Sequence, residues 1–186
     1  AVHELKTDEF ADLYAEELKA EGGVISGEQF VDECQVESDL ELLLPATYVT
    51  GSSERMLLYR ELDSLTLDKD VEDFRTRLID RFGPIPSETE ELLRIVPLRR
   101  LAARLGAEKV FLKGGRMSLF FVSNPDSPYY QSQAFGKVIA YMMKYTRRCD
   151  LREQNTRRSM LVKDVKNVET AVSVLQEIVA MQVEEG

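Results

Sequence analysis

The sequence predicts an α+β fold: a single compact domain of about four helices with a small antiparallel β-sheet or hairpins, plus an N-terminal helical extension. Three observations predict it. Val71 to Leu105 reads as a helix, a rigid corner and a second helix. Lys109–Lys113 and Arg116–Val122 flank Gly114-Gly115, the pattern of a tight β-hairpin. Cys149–Glu153 and Ser159–Lys163 read as two further short strands around a polar turn, ahead of an amphipathic stretch opened by Asn167. Strands and helices that arrive in such runs indicate α+β organisation.

The elements follow in chain order. Residues 1–21 read as a helix with Leu5, Phe10, Leu13, Tyr14 and Leu18 on a loose apolar face, ended by Gly22-Gly23. Residues 24–35 read as a linker. Glu37–Leu44 alternates with Leu40, Leu42 and Leu44 on one side, which predicts a half-buried strand stopped by Pro45. Gly51-Ser52-Ser53 supplies a turn and a helix start. The helix expected over about Glu54–Leu65 turns Met56, Leu57, Tyr59 and Leu62 or Leu65 inward.

Asp68 is the expected cap of the next helix, whose inward stripe is Val71, Phe74, Leu78 and Phe82. Gly83 tolerates the left-handed conformation that ends a helix, and Pro84 forbids continuation. Ser87 with Glu90 has capping-box spacing and opens a helix to Leu105, with Pro97 as an internal defect and Gly106 as its close. Ser132–Tyr145 is expected as a helix with Phe135, Val138, Ile139 and Met142 inward. The last helix carries Val168, Ala171, Val172, Leu175, Ile178 and Val179.

Composition narrows the function. The chain has 186 residues, is 44% hydrophobic and 31% charged, and carries a net charge of -9. These are values of a soluble globular protein, and no apolar run approaches the roughly 20 residues that span a bilayer. No charged-then-apolar leader is present, so a cytoplasmic location is expected. Cys34 and Cys149 lack metal or redox spacing and read as free thiols, with a bridge between them allowed by count alone.

His3 is the sole histidine and stands among the first residues, where a side chain is poorly positioned, so no histidine-based triad is expected, and one histidine cannot make a multi-histidine metal site. No Walker phosphate loop occurs, and Gly114-Gly115 lacks the dinucleotide pattern. The acids Asp68, Asp70, Glu72 and Asp73 lack calcium-loop spacing and suit the first turn of a helix. No cofactor, metal or catalytic residue is expected, and the fragment reads as non-enzymatic. Tyr129-Tyr130 could stack bases, although packing of a loop on the core is favoured.

Charge is segregated. Residues 1–41 hold thirteen Asp or Glu against Lys6 and Lys19, whereas residues 94–163 hold fifteen Lys or Arg against Glu108, Asp126, Asp150 and Glu153. The basic half either neutralises the acidic start within the fold or meets an acidic partner or nucleic acid. On the Val71–Phe82 helix, Arg77, Asp80 and Arg81 share one outward strip at three- and four-residue spacing. That strip reads either as a solvated face or as a docking site.

The corner Leu78–Pro86 (LIDRFGPIP), followed by a helix ending Leu98–Gly106 (LRRLAARLG), resembles the C-terminal domain of the bacterial transcription-repair coupling factor (Mfd). Val36–Pro45 with Tyr48-Val49, and Glu54–Arg60, resemble that domain's entering strand and first helix. Ala1–Leu5 resembles the end of the family's translocase module. The resemblance covers roughly Val36–Met181. It implies an acidic connector over residues 1–35 and a regulatory domain over 36–183.

The resemblance further implies a non-catalytic autoinhibitory clamp within an ATP-dependent DNA translocase that displaces stalled RNA polymerase and recruits nucleotide excision repair. Such a clamp docks on the N-terminal UvrB-like domain and masks its UvrA-binding surface until stalled RNA polymerase is engaged. DNA contact is then expected through the parent protein, and no membrane contact. By motif, Asp80 and Arg81 match the clasp's polar contact positions, and Arg77 sits where relatives can carry an acid. The alternative is a nucleic-acid-binding accessory domain whose basic half, 94–163, lines a phosphate-binding face with Arg99, Arg100, Arg104, Arg147, Arg148, Arg157 and Arg158.

Overall fold

The computed structural model describes residues 30–183. The expected helix over residues 1–21, the family-like Ala1–Leu5 and His3 lie outside the described residues. The order is β1 (Gln35–Ser38), α1 (Ser52–Ser64), α2 (Asp68–Phe82), α3 (Ser87–Arg104), β2 (Ala107–Lys113), β3 (Arg116–Phe121), a 3-10 turn (Pro128–Gln131), α4 (Gln133–Lys144), β4 (Cys149–Gln154), β5 (Arg157–Val162) and α5 (Val168–Val179). The α+β expectation holds: the five described α-helices are the five segments expected in turn between Glu54 and Val179, one more than the round figure of about four.

The sheet is mixed, in the order β1-β2-β3-β5-β4. β1 pairs parallel with β2, Val36 opposite Val110, and the remaining pairs are antiparallel. The expected antiparallel sheet is corrected at this one edge. Parallel neighbours need a long crossover, and α1, α2 and α3 supply it. The hairpin turns behave as their residues require: Gly114 and Gly115 both have positive φ, as do Asn155 and Thr156 between β4 and β5.

One sheet face builds the main core. Val110, Leu112, Met117, Leu119, Met160 and Val162 alternate inward and pack with residues of α3, α4 and α5. A second cluster holds Leu62 of α1, Val71, Phe74 and Leu78 of α2, and Leu93 and Val96 of α3. Helix α3 therefore serves both clusters: Leu93 and Val96 belong to the second, while Ile95 and the residues from Leu98 onward pack in the main core. Val31 and Cys34, in the expected linker, are buried in the main core. Both cysteines are free and buried.

Several local expectations are corrected. The strand is Gln35–Ser38, not Glu37–Leu44. Asp39 N still donates to Leu112 O of β2 at 3.0 Å, and further on side chains hold the chain in place of a ladder. Leu44 N donates to Tyr59 Oη at 2.7 Å, and Thr89 Oγ1 donates to Leu43 O at 2.8 Å. Met56 and Leu57 are 60% and 63% exposed, whereas Leu58, Leu62 and Leu65 pack in the second cluster. The run Met56–Tyr59 puts apolar groups all round α1, so periodicity could not choose the buried side. The bonds from Tyr59 to Leu44 and from Arg55 Nη1 to Val49 O (2.7 Å) choose it.

Asp68 is the first residue of α2, after Leu67 in the cap position, and accepts from Arg100 Nη2 at 2.9 Å. Ser87 and Glu90 form no capping box: Pro86 precedes α3 without a side-chain cap, and Glu90 is paired with Arg75 of α2. Asn167 does cap α5, its Oδ1 accepting from Thr170 N at 2.7 Å.

Burial pushes the Cys34 thiol from 9.0 up to about 12, against a smaller lowering by Arg99. Burial likewise pushes the Tyr141 phenol from 10.0 up to about 12, with Arg148 opposing. Both stay neutral in the fold at a pH where the unfolded chain would ionise. Their contribution is complete below about pH 9 and is lost as pH rises toward 12. Urea midpoints should therefore fall steadily above pH 9. Cys34→Ala should flatten the early part of that decline, whatever its cost at neutral pH. An unchanged slope would show that Cys34 does not carry it.

Candidate functional site: the outward strip of α2

The amphipathic period of α2 buries Val71, Phe74 and Leu78 and leaves Arg77, Asp80 and Arg81 exposed. Gly83, with φ of +86°, ends the helix, and its N–H donates to Ile79 O at 2.9 Å. Tyr48 holds the corner from beneath: its hydroxyl donates to Gly83 O at 2.8 Å, and its ring lies 5.7 Å from Phe82. The end of the strip is thus fixed by a capped corner rather than left to fray.

Neighbouring α1 supplies two carboxylates. Arg77 pairs with Glu61, and Arg81 pairs with Glu54. The same guanidinium groups lie over rings of their own helix, Arg77 at 5.5 Å from Phe74 and Arg81 at 5.0 Å from Phe82. These contacts orient two long side chains that would otherwise sample many rotamers. Each exposed pair contributes about 0–1 kcal/mol, so the arrangement governs presentation more than stability. Asp80 has no ion-pair partner among the described residues and leaves one carboxylate facing outward between the two tethered arginines.

Sequence reasoning missed Glu54, Glu61 and the exposed Leu57. The signal was present in part: Glu54, Leu57 and Glu61 recur at three- and four-residue spacing and share one face of α1. Pairing Glu54 with Arg81 and Glu61 with Arg77 requires that α1 and α2 run in opposite directions side by side, which is tertiary information.

The seven arginines of the alternative do not form one face. Arg104 is buried, and Arg100 is paired with Asp68. Arg148 donates to Lys163 O at 2.9 Å and Asp164 O at 3.2 Å. Arg157 and Arg158 occupy successive positions of β5 and point to opposite sides of the sheet. Tyr129 is fully buried and donates to Leu105 O at 2.5 Å, so it packs the loop on the core. Among the described residues no group of three or more His, Cys, Asp or Glu could hold a metal ion, and no helix is long and apolar enough to cross a membrane.

A five-stranded mixed sheet with helices packed on one face, and a charged helical strip beside a glycine-proline corner, define an α+β domain with an outward polar surface. The TRCF domain family matches residues 38–132, half of the chain, and the chain belongs to that family. It is 27% identical over 149 residues to the transcription-repair-coupling factor of Rickettsia typhi, covering 78% of this chain and 13% of that protein. It is 32% identical over 78 residues to the factor of Escherichia coli K12, covering 42% of this chain and 7% of that protein. The solved structure of a C-terminal domain of transcription-repair coupling factor shares the fold: TM-score 0.59, 19% identity, 78% of this chain and 94% of that one covered. The chain thus spans about an eighth of the length of the Rickettsia relative.

Proposed function

We propose that this chain is the non-catalytic C-terminal regulatory domain of a transcription-repair coupling factor, with residues 1–35 as a connector and 36–183 as the regulatory body. In this reading it docks on the N-terminal UvrB-like domain of the same protein and covers the surface that recruits UvrA. Engagement of stalled RNA polymerase by the ATP-driven translocase releases it, in the cytoplasm. The supporting observation is the exposed strip Arg77-Asp80-Arg81, whose arginines are held in place by Glu54 and Glu61.

The energetics suit a reversible lid. Keeping it closed 99% of the time requires about 2.7 kcal/mol. Charged contacts at an exposed rim supply orientation and partner choice at modest affinity, and the lid can still open. Relatives that carry an acid at the Arg77 position would pair differently there. A matching acid on the docking domain would accommodate the arginine in this chain.

Titration of this chain against the separate UvrB-like domain tests the reading. Weak association is expected that declines steeply as salt shortens the screening length from about 10 Å at 0.1 M to about 3 Å at 1 M. Salt-independent association would mean that the contact is apolar and lies elsewhere.

A further inference from the structure

The second face of the sheet does not contribute to either core. On it, Phe111 of β2 and Phe120 of β3 are half-buried, belong to neither hydrophobic cluster, and meet edge to face with centroids 5.3 Å apart. Lys109 and Lys113 lie 5.1 and 5.2 Å from the Phe111 ring, and Arg157 lies 5.5 Å from the Phe120 ring. The strand register places Arg152 beyond Ser159, on the same row as Lys109 and Phe120. A groove lined by Ser118, Phe120, Arg152 and Arg157 runs across β3, β5 and β4.

We propose that this face binds single-stranded DNA. Two rings on adjacent strands, 78° apart in plane, carry these cations over their faces; a base that stacks on a ring displaces the cation above it, which then meets the adjoining phosphate. Duplex DNA keeps its bases stacked internally and cannot use the rings. Carboxylates stand beside several of these cations, and Asp32, Glu33 and Glu108 line an adjoining hollow that Lys109 and Arg157 also border. Glu37 lies 3.6 Å from Lys109 and 3.5 Å from Lys113, and Asp150 lies 3.1 Å from Arg152. The groove itself is lined by Arg152 and Arg157 and by no carboxylate among the described residues, which complements a phosphate backbone. The choice of DNA over RNA rests on the repair function proposed above; the aromatic pair does not.

Fluorescence polarisation of the full chain with a labelled oligo(dT) of about 15 nucleotides tests this. The expected dissociation constant is on the order of 1–100 μM, with a negative log–log salt slope of about 2 to 3. Phe111→Leu with Phe120→Leu keeps apolar bulk but removes the rings, and should weaken binding about 10-fold or more. Arg152→Glu with Arg157→Glu should weaken binding and make the slope shallower by about 1.4. The Asp80→Ala, Arg81→Ala variant should bind as the unaltered chain does, so a failed docking strip leaves this result standing. Equal affinity for a matched duplex, tighter binding of oligo(U), or indifference to the leucine variant in a chain of unchanged circular dichroism would overturn the proposal.

Discussion

Gly106→Ala is expected to destabilise the fold by about 2–5 kcal/mol, a large share of the roughly 5–15 kcal/mol that holds a typical domain. Two effects add. Gly106 has φ of +83°, where an alanine is strained by about 1–2 kcal/mol. Its Cβ would also stand 2.0 Å from Cε1 of Tyr129, a fully buried ring. Tyr129 cannot move aside cheaply. It lies within 5.0 to 6.2 Å of Tyr130, Phe135, Phe30 and Phe121, and its hydroxyl is bonded to Leu105 O. Overpacking of this kind costs about 1–3 kcal/mol. Gly114→Ala is the control, because Gly114 has φ of +62° but nothing within 4 Å of the added carbon. It should cost only about 1–2 kcal/mol. Comparable urea midpoints for the two variants would mean that the close approach at Tyr129 is not a constraint.

Asp80→Ala combined with Arg81→Ala, made in the full-length factor, is expected to raise apparent UvrA affinity about 10- to 100-fold. A lid closed 99% of the time would lower apparent affinity by that larger factor, and on the proposed reading removal of these two side chains returns most of it. The fold should be nearly unaffected. Arg81 is exposed and Asp80 has no ion-pair partner among the described residues, so loss of the Arg81–Glu54 pair costs about 0–1 kcal/mol. Unchanged UvrA binding in a well-folded variant would remove the strip from the docking contact.

Legibility of the sequence followed how local each requirement is. Gly83 before Pro84, Gly114-Gly115 and the Asn167 cap each answer a demand of the backbone within a few residues, and each stands where expected. The inward stripe Val71, Phe74, Leu78 of α2 was readable from period alone, which also placed Arg77, Asp80 and Arg81 outward. Expectations failed where a distant partner decided. Glu90 has the spacing of a cap but is taken by Arg75, fifteen residues away. Leu40–Leu44 alternates like a strand, yet Tyr59 and Thr89 satisfy its backbone and β1 ends at Ser38. Met56 and Leu57 are apolar enough for a core, but α1 turns Leu58 inward beside the expected Leu62 and leaves those two exposed.

The site shows the same division. Its three α2 residues were visible as a strip, whereas Glu54 and Glu61, which hold two of them, became visible only once α1 lay beside α2. The aromatic pair Phe111–Phe120 was hidden for a similar reason. Each residue alternates outward on its own strand, and only the β2–β3 register brings the rings together.

Fluorescence energy transfer in the full-length factor tests the lid most directly, between a dye at Thr76→Cys, exposed on α2, and a second dye beside the UvrA-recruiting surface of the UvrB-like domain. High transfer in the resting protein that collapses when a stalled RNA polymerase is engaged is the predicted result. Low transfer at rest, with α2 already far from that surface, would contradict the account.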